Sequence, residues 1–175
     1  RDALIEARGH QVRTQIAHEP AQVLGDEKRL VQVLANLLTN AAKYTPPKGA
    51  IELALRIDGG EIVVTVADNG IGIAPDLLPR VFELFVQGAR TPDRAQGGLG
   101  LGLALAKSMV GLHDGRVAAS SGGAGAGSVF EVRLPRHRAA ADDDGASAGA
   151  AAAPPAGRAL RIVVVDDNAD AAWTL

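Results

Sequence analysis

Cysteine is absent from the 175 residues, which excludes a disulfide scaffold, thiolate zinc sites and a cysteine nucleophile. Aromatic residues are almost as scarce. Tyr44, Phe82, Phe85, Phe130 and Trp173 are the five, so the core must be packed from Leu, Ile and Val. Neither sign of charge prevails, with 18 Lys+Arg against 20 Asp+Glu. A dedicated nucleic-acid binder needs a basic field to attract phosphodiesters, and none exists here. No apolar run approaches the ~18 residues that span a bilayer, and the N-terminal stretch has neither a basic n-region nor an apolar h-region. The expectation is a soluble cytoplasmic chain, or a cytoplasmic piece of a membrane-anchored parent.

Small residues are what the sequence has in abundance. Thirty-three alanines inflate the 47% hydrophobic content, and 21 glycines with nine prolines are more than a helix bundle tolerates at about 1 kcal/mol per interior glycine. The alanines are unevenly spread. Residues 136–159 hold eleven of them, with Asp, Gly, Pro and Arg and no Leu, Ile, Val or aromatic. Such a stretch cannot bury enough apolar surface to offset its ordering entropy, and it reads as a disordered linker. Beyond it, Leu160 to Val165 form an apolar run that ends in Asp166-Asp167, a lone strand without partners.

Before the linker the hydrophobic period alternates between the helical and extended types. Gln11 to Ile16 is a weak strand. Asp26 is a plausible N-cap for a long helix from about Glu27 to Tyr44, with Leu30, Val33, Leu34, Leu37, Leu38 and Ala41 at helical spacing and Pro46-Pro47 as its stop. Ile51, Leu53, Leu55 and Ile57 alternate with polar residues, turn at Gly59-Gly60 and lead into Ile62 to Ala67. After Asp68, Ala74-Pro75-Asp76 begins a helical pattern. A further helix from about Leu101 to Leu112 precedes strands at Arg116 to Ser120 and Ser128 to Leu134. This order predicts an α+β fold, a two-layer α/β sandwich whose mixed, mostly antiparallel sheet carries about three helices on one face.

Three segments carry polar chemistry. On the long helix, Asn36, Asn40, Lys43 and Tyr44 fall on one face roughly 120° from the leucine stripe, at 100° per residue. Asn oxygen suits Mg²⁺ and a lysine suits phosphate oxygens, although an ordinary solvated face would look the same. Asp68-Asn69-Gly70-Ile71-Gly72-Ile73 follows a strand; it is either a tight turn or a carboxylate presented to an amino group beside glycines that let a flat ligand approach. Gly97-Gly98-Leu99-Gly100-Leu101-Gly102 opens a helix, whose free N–H groups suit a phosphate chain, and a flexible hinge is the alternative. Neither a Walker A motif nor a Rossmann loop is present.

In this order the segments resemble the catalytic ATP-binding domain of sensor histidine kinases, within the gyrase, Hsp90, histidine kinase and MutL superfamily. Arg29 to Thr45 looks like the N box, Asp68 to Gly72 the G1 box, Val81 to Phe85 the F box and Gly98 to Gly102 the G2 box, and the resemblance covers about residues 10 to 135. It implies that Asn40 holds Mg²⁺, with Asn36 beside it and Lys43 and Tyr44 on the nucleotide. It implies that Asp68 receives the adenine amino group, with Gly70, Gly72, Ile73 and Phe85 around the base and Ser128 assisting Asp68, directly or through water. Residues from about Val86 to Leu99 would form a lid, with Arg94 and Gln96 toward the γ-phosphate, and Gly98, Gly100, Leu101 and Gly102 would line the phosphates.

The superfamily's ATP-hydrolysing members carry a glutamate base four residues before the metal-binding asparagine. Here that position is Asn36, which cannot take a proton at neutral pH. The resemblance therefore implies a protein-histidine kinase, with Asn36 and Lys43 as its catalytic pair, that donates the γ-phosphoryl group to a histidine in a separate dimerisation domain. A chaperone-, topoisomerase- or repair-type ATPase and a non-catalytic ATP-sensing module are the alternatives. None of His10, His18, His113 or His137 sits in a phosphoacceptor context, and His113 reads as a partner for a helix C-terminus. Asp166-Asp167 resembles the first strand of a receiver domain, which implies a hybrid kinase feeding a His-to-Asp phosphorelay.

Overall fold

The computed structural model describes residues 3–86 and 100–137 and the backbone of 159–160. Helix α1 spans Ala3–Ala7, strand β1 Gln11–Ile16, β2 Val23–Leu24 and helix α2 Glu27–Tyr44. Then come β3 Ala50–Asp58, β4 Glu61–Asp68, a 3-10 turn Leu78–Arg80, α3 Gly102–Gly111, β5 Arg116–Ser120, β6 Ser128–Pro135 and β7 Ala159–Leu160. Among the described residues, β1, β3, β4, β6 and β5 form one sheet in that spatial order, while β2 pairs with β7. β1 runs parallel to β3 and the other neighbours of the sheet are antiparallel. This is the mixed, mostly antiparallel α/β sandwich expected.

α2 begins where Asp26 accepts a hydrogen bond from the Arg29 N–H at 3.2 Å, a cap of about 1 kcal/mol. Its leucine stripe, with Leu37 fully buried, lies in one core with Ile62, Val64, Val66, Phe130, Val132, Leu134, Met109 and Val110. The helical pattern after Ala74 yields only the 3-10 turn. Pro79 lacks the N–H that an α-helix would need there, so the expected helix stops before it starts.

The sheet register explains the position of the site. Leu53, Val66, Phe130 and Ala119 stand in one cross-strand row, Leu55, Val64, Val132 and Val117 in the next, and Ile51, Asp68 and Ser128 in the row at the sheet's end. Asp68 and Ser128 are thus the last positions of two core-facing alternations, and pairing sets them side by side.

On the opposite face Val63 is fully buried although it faces away from the helices. It lies in register between Arg56 and Arg133. Their side chains join Asp58, Glu61, Glu131 and Arg116 in a lattice of ion pairs above it, including Arg133 to Glu131 at 2.6 Å and to Asp58 at 3.0 Å. Arg116 grips Glu61 with both terminal nitrogens. The hydrogen bonds from Arg56 and Arg133 hold the Asp58 carboxyl below its usual range, and that from Arg116 above all does so for Glu61. Folded values below the unfolded ones mean that this contribution is complete above the ordinary carboxylate range and is lost as pH falls through and below about 4.5. Urea melts from about pH 7 to about pH 3 should lose stability in that window, less steeply in the Asp58→Asn, Glu61→Gln double variant. Salt should blunt the difference, because these groups are exposed.

The expected linker boundary shifts slightly. Arg136 N–H donates to Gly60 O at 2.8 Å and His137 N–H to Gln22 O at 2.7 Å, so the folded body continues two residues past Pro135. Residues 138–158 and the Asp166-Asp167 pair lie outside the described residues. No described helix is long and apolar enough to cross a membrane.

Candidate functional site

Between α2, the end of β4, the 3-10 turn and the start of α3 lies a cavity of about 510 Å³, within the size range of small-molecule sites. Asn36, Asn40, Lys43, Tyr44, Asp68, Gly72, Ile73, Gly100, Leu101, Gly102 and Ser128 all line it. Segments distant in sequence therefore converge on one space. Ile71, Leu77, Val81, Leu103 and Phe130 supply its apolar walls.

Asp68 is held from both sides. Its Oδ1 accepts the Gly70 N–H at 2.8 Å and its Oδ2 accepts the Ser128 hydroxyl at 2.5 Å. Of the two arrangements expected for Ser128, the direct contact with Asp68 is the one present. Each carboxylate oxygen retains a further lone pair, so the group can still accept a donor from the cavity. The loop after it is fixed by close backbone approaches. Tyr44 O accepts the Ile71 N–H at 3.1 Å, and a Cβ at Gly70 would stand 2.5 Å from that same oxygen. Gly70 therefore shapes the pocket from behind, since it does not line the cavity. Gly72 has φ +73°, and a Cβ there would meet Gly123 O at 1.9 Å.

That last contact exposes a component the motif reading missed. The β5–β6 turn, Ser121 to Gly127, packs on the Asp68 loop. Ile73 N–H donates to Ser121 Oγ at 3.0 Å, and Ser121 Oγ donates to Gly127 O at 2.6 Å. Gly125 N–H donates to Ile71 O at 2.7 Å and Gly127 N–H to Gly70 O at 3.1 Å. The signal was present as Gly-Gly-Ala-Gly-Ala-Gly between two strands, but a glycine-rich hairpin turn needs no ligand to explain it.

Asn36 and Tyr44 lie eight residues apart on α2, about 12 Å at 1.5 Å per residue. Tyr44 faces the Asp68 loop, whereas the Asn36 side-chain N–H donates to Gly102 O at 3.2 Å, where α3 begins. Among the described residues α3 has no side-chain cap, and its first N–H groups have no partner there, an arrangement suited to an anion. Lys43 stacks over the Tyr44 ring at 5.3 Å. The Asn40 side chain makes no hydrogen bond among the described residues, and its amide oxygen is a hard neutral ligand. No described cluster of three His, Cys, Asp or Glu exists to hold a metal. Mg²⁺, which keeps waters and binds through few protein oxygens plus substrate phosphates, fits this donor set. Asp68 is the only carboxylate among the described lining residues.

The F box divides. Phe82 turns inward and meets Phe130 edge-on at 6.3 Å. Phe85, expected at the nucleotide, is 71% exposed and does not line the cavity. Its positive φ of 63° turns the chain, and its N–H donates to Gly100 O at 3.2 Å, so its backbone, not its ring, serves the site. Val86 lines the cavity. The remainder of the expected lid, with Arg94, Gln96 and Gly98, lies outside the described residues.

His113 does more than terminate a helix. Its Nδ1–H donates to Met109 O at 2.7 Å and its Nε2 accepts the Asp26 N–H at 3.0 Å. The end of α3 is thereby tied to the start of α2. Gly25 makes room for the ring, since a Cβ there would stand 2.2 Å from it.

A family model described as histidine kinase-, DNA gyrase B-, and HSP90-like ATPase matches residues 25–138. The sensor-like histidine kinase SenX3 of Mycobacterium tuberculosis is 45% identical over 114 residues, which are 65% of this chain and 28% of the relative. The structure of the mycobacterial sensor histidine kinase MprB superposes with a TM-score of 0.67 at 32% identity, over 76% of this chain and 88% of that one. Full-length ShkA in complex with AMPPNP gives a TM-score of 0.65 at 35% identity, over 79% of this chain and 28% of that one. The chain thus spans under a third of the full-length protein SenX3.

Proposed function

The chain belongs to the histidine kinase-, DNA gyrase B- and HSP90-like ATPase family, and from that premise we propose that it holds Mg-ATP in the cavity and donates the γ-phosphoryl group to a histidine of a separate dimerisation domain. Asp68 takes the adenine amino group, with Ser128 and the Gly70 N–H fixing the carboxylate. Lys43, Tyr44, Leu101 and the free N–H groups of α3 meet the phosphates, together with Gly98, Arg94 and Gln96. Asn40, with Asn36 beside it, holds the metal, which when bound would neutralise phosphate charge. In the transfer, the bond from the γ-phosphorus to its bridging oxygen breaks, a bond to an imidazole nitrogen forms, and the ring's proton leaves to solvent. The site's contribution is position and charge neutralisation.

The observation that carries this reading is the distribution of carboxylates. A hydrolase needs a base beside the phosphates to activate water. The only described carboxylate of the cavity is Asp68, which stands by Tyr44 with its two oxygens already engaged. At the other end the corresponding side chain is Asn36, and its amide is spent on Gly102 O. The absence of a base beside the phosphates among the described residues favours transfer to a protein acceptor over rapid hydrolysis. We further propose that the Asp166-Asp167 segment begins a receiver domain, so that the parent is a cytoplasmic or membrane-anchored hybrid kinase.

Incubation of the chain with γ-labelled Mg-ATP and a dimerisation domain supplied in trans should yield an acid-labile, base-stable phosphohistidine on that domain. Asn40→Ala should remove most of the label, by roughly tenfold or more if the metal's ligand is lost. Brisk phosphate release without an acceptor would identify an ATPase instead. Tight Mg-ATP binding with neither product would identify a sensing module.

A further inference from the structure

The last four carbonyls of an α-helix have no donor within it, so their partners must come from elsewhere. In α2 those groups belong to Ala41, Ala42, Lys43 and Tyr44. Ala41 O accepts the Thr45 N–H at 3.0 Å and Tyr44 O the Ile71 N–H at 3.1 Å. The next donors in sequence for Ala42 and Lys43 would be residues 46 and 47, and both are proline, which has no N–H. Their partners come instead from the chain's entrance. Arg8 Nη1 donates to Lys43 O at 3.0 Å and to Ala42 O at 3.4 Å, and His10 Nε2 donates to Ala42 O at 3.0 Å.

Arg8 is itself anchored, because its carbonyl accepts the Lys48 N–H at 3.0 Å. Leu4 and Ile5 of α1 pack on the edge of the core. The turn that carries nucleotide-facing Lys43 and Tyr44 is therefore closed by two unrelated pieces, the Asp68 loop on one side and residues 8–10 on the other. Arg8 and His10 precede the family match, which begins at residue 25.

We infer that Arg8 and His10 are positioning residues that couple the entrance segment, residues 3–10, to the nucleotide pocket. Withdrawing that segment strands two carbonyls and frees the last turn of α2, and with it the Lys43–Tyr44 pair. Because coupling between two sites is reciprocal, a nucleotide that orders Lys43 and Tyr44 must in turn hold residues 3–10 more firmly. A movement of the preceding chain could then be read as a change in ATP affinity. The inference rests on the nucleotide reading of the cavity.

The test uses the whole chain with Mg-ADP, by calorimetry and by hydrogen exchange. In the wild type, Mg-ADP should slow exchange at the amides of Arg8, Gly9 and His10, which bond to Leu4, Glu6 and Ile5 carbonyls. Arg8→Met should weaken Mg-ADP about three- to tenfold, as expected for one or two charge-assisted hydrogen bonds, and abolish that slowing. Arg8→Lys, which keeps a cationic donor, should recover most of both, and Arg13→Met on exposed β1 should change neither. A merely structural role would lower thermal stability in Arg8→Met yet leave the nucleotide-dependent protection intact, which overturns the inference. So would an absence of slowing in the wild type with Mg-ADP bound, a result that stands even if Arg8→Met fails to fold. Wild type that does not bind Mg-ADP at all would sink the nucleotide reading itself.

Discussion

Asp68→Asn should bind Mg-ATP roughly tenfold to a hundredfold more weakly while keeping its fold, the loss expected when a charge-assisted hydrogen bond of about 1 to 3 kcal/mol is removed. The geometry explains why binding and folding separate. Oδ1 accepts the Gly70 N–H and Oδ2 the Ser128 hydroxyl. An asparagine can keep its oxygen on Gly70 and turn its NH₂ toward Ser128, whose hydroxyl rotates to accept. Internal bonds survive, but the atom offered to an adenine amino group is now itself a donor. The variant should therefore also shift its preference toward a base with a carbonyl at that position, such as the hypoxanthine of inosine triphosphate. Titration calorimetry with both nucleotides measures this. Unchanged ATP affinity would remove Asp68 from the base site.

The second large effect is structural and arises at a residue outside the nucleotide motifs. Gly127→Ala should destabilise the chain by about 3 kcal/mol or more, from left-handed strain plus a backbone overlap. Gly127 has φ +69°, and a Cβ there would stand 2.0 Å from Asp68 O. Relief requires β6 to move away from the end of β4, which separates Ser128 from Asp68 and opens the pocket. Gly125 is the control. Its φ is +77°, yet a Cβ there meets nothing within 4 Å. Gly125→Ala should then show only the conformational penalty, about 1 kcal/mol. Thermal melts of the two variants isolate the close approach, and equal melting temperatures would refute it. Gly127→Ala should lose nucleotide affinity as well, even at temperatures where it remains folded.

Much of the site could be read directly from the chain because its residues lie on regular elements. Asn36, Asn40, Lys43 and Tyr44 share a helical face, and the periodicity that places the leucines on the core places these four on the cavity. Asp68 continues the alternation of Ile62, Val64 and Val66, so its inward direction follows from period two alone. Ser128 likewise precedes Phe130, Val132 and Leu134 on one face. Phe85 was less legible. The resemblance put it beside the base, but a positive φ reverses the chain there and leaves the ring outside. His113 looked like a helix terminus, and only the packing of α3 on α2 reveals that its second nitrogen serves Asp26.

The sequence by itself determined the elements, their caps and stops, and which side chains face inward, because each of these depends on near neighbours along the chain. Absence of cysteine and balanced charge had already excluded a disulfide scaffold, thiolate zinc sites, a cysteine nucleophile and a dedicated nucleic-acid binder. Tertiary structure alone decided the pairing of Asp68 with Ser128, the seating of the Ser121–Gly127 turn on the pocket loop, and the closure of α2 by Arg8 and His10. Those contacts join residues whose separations run from 32 to 60 in number, or place a backbone oxygen where a Cβ cannot stand. Local periodicity carries no information about which distant carbonyl lacks a donor. Pro46 and Pro47 state that two donors are missing, and only the fold says where the replacements come from.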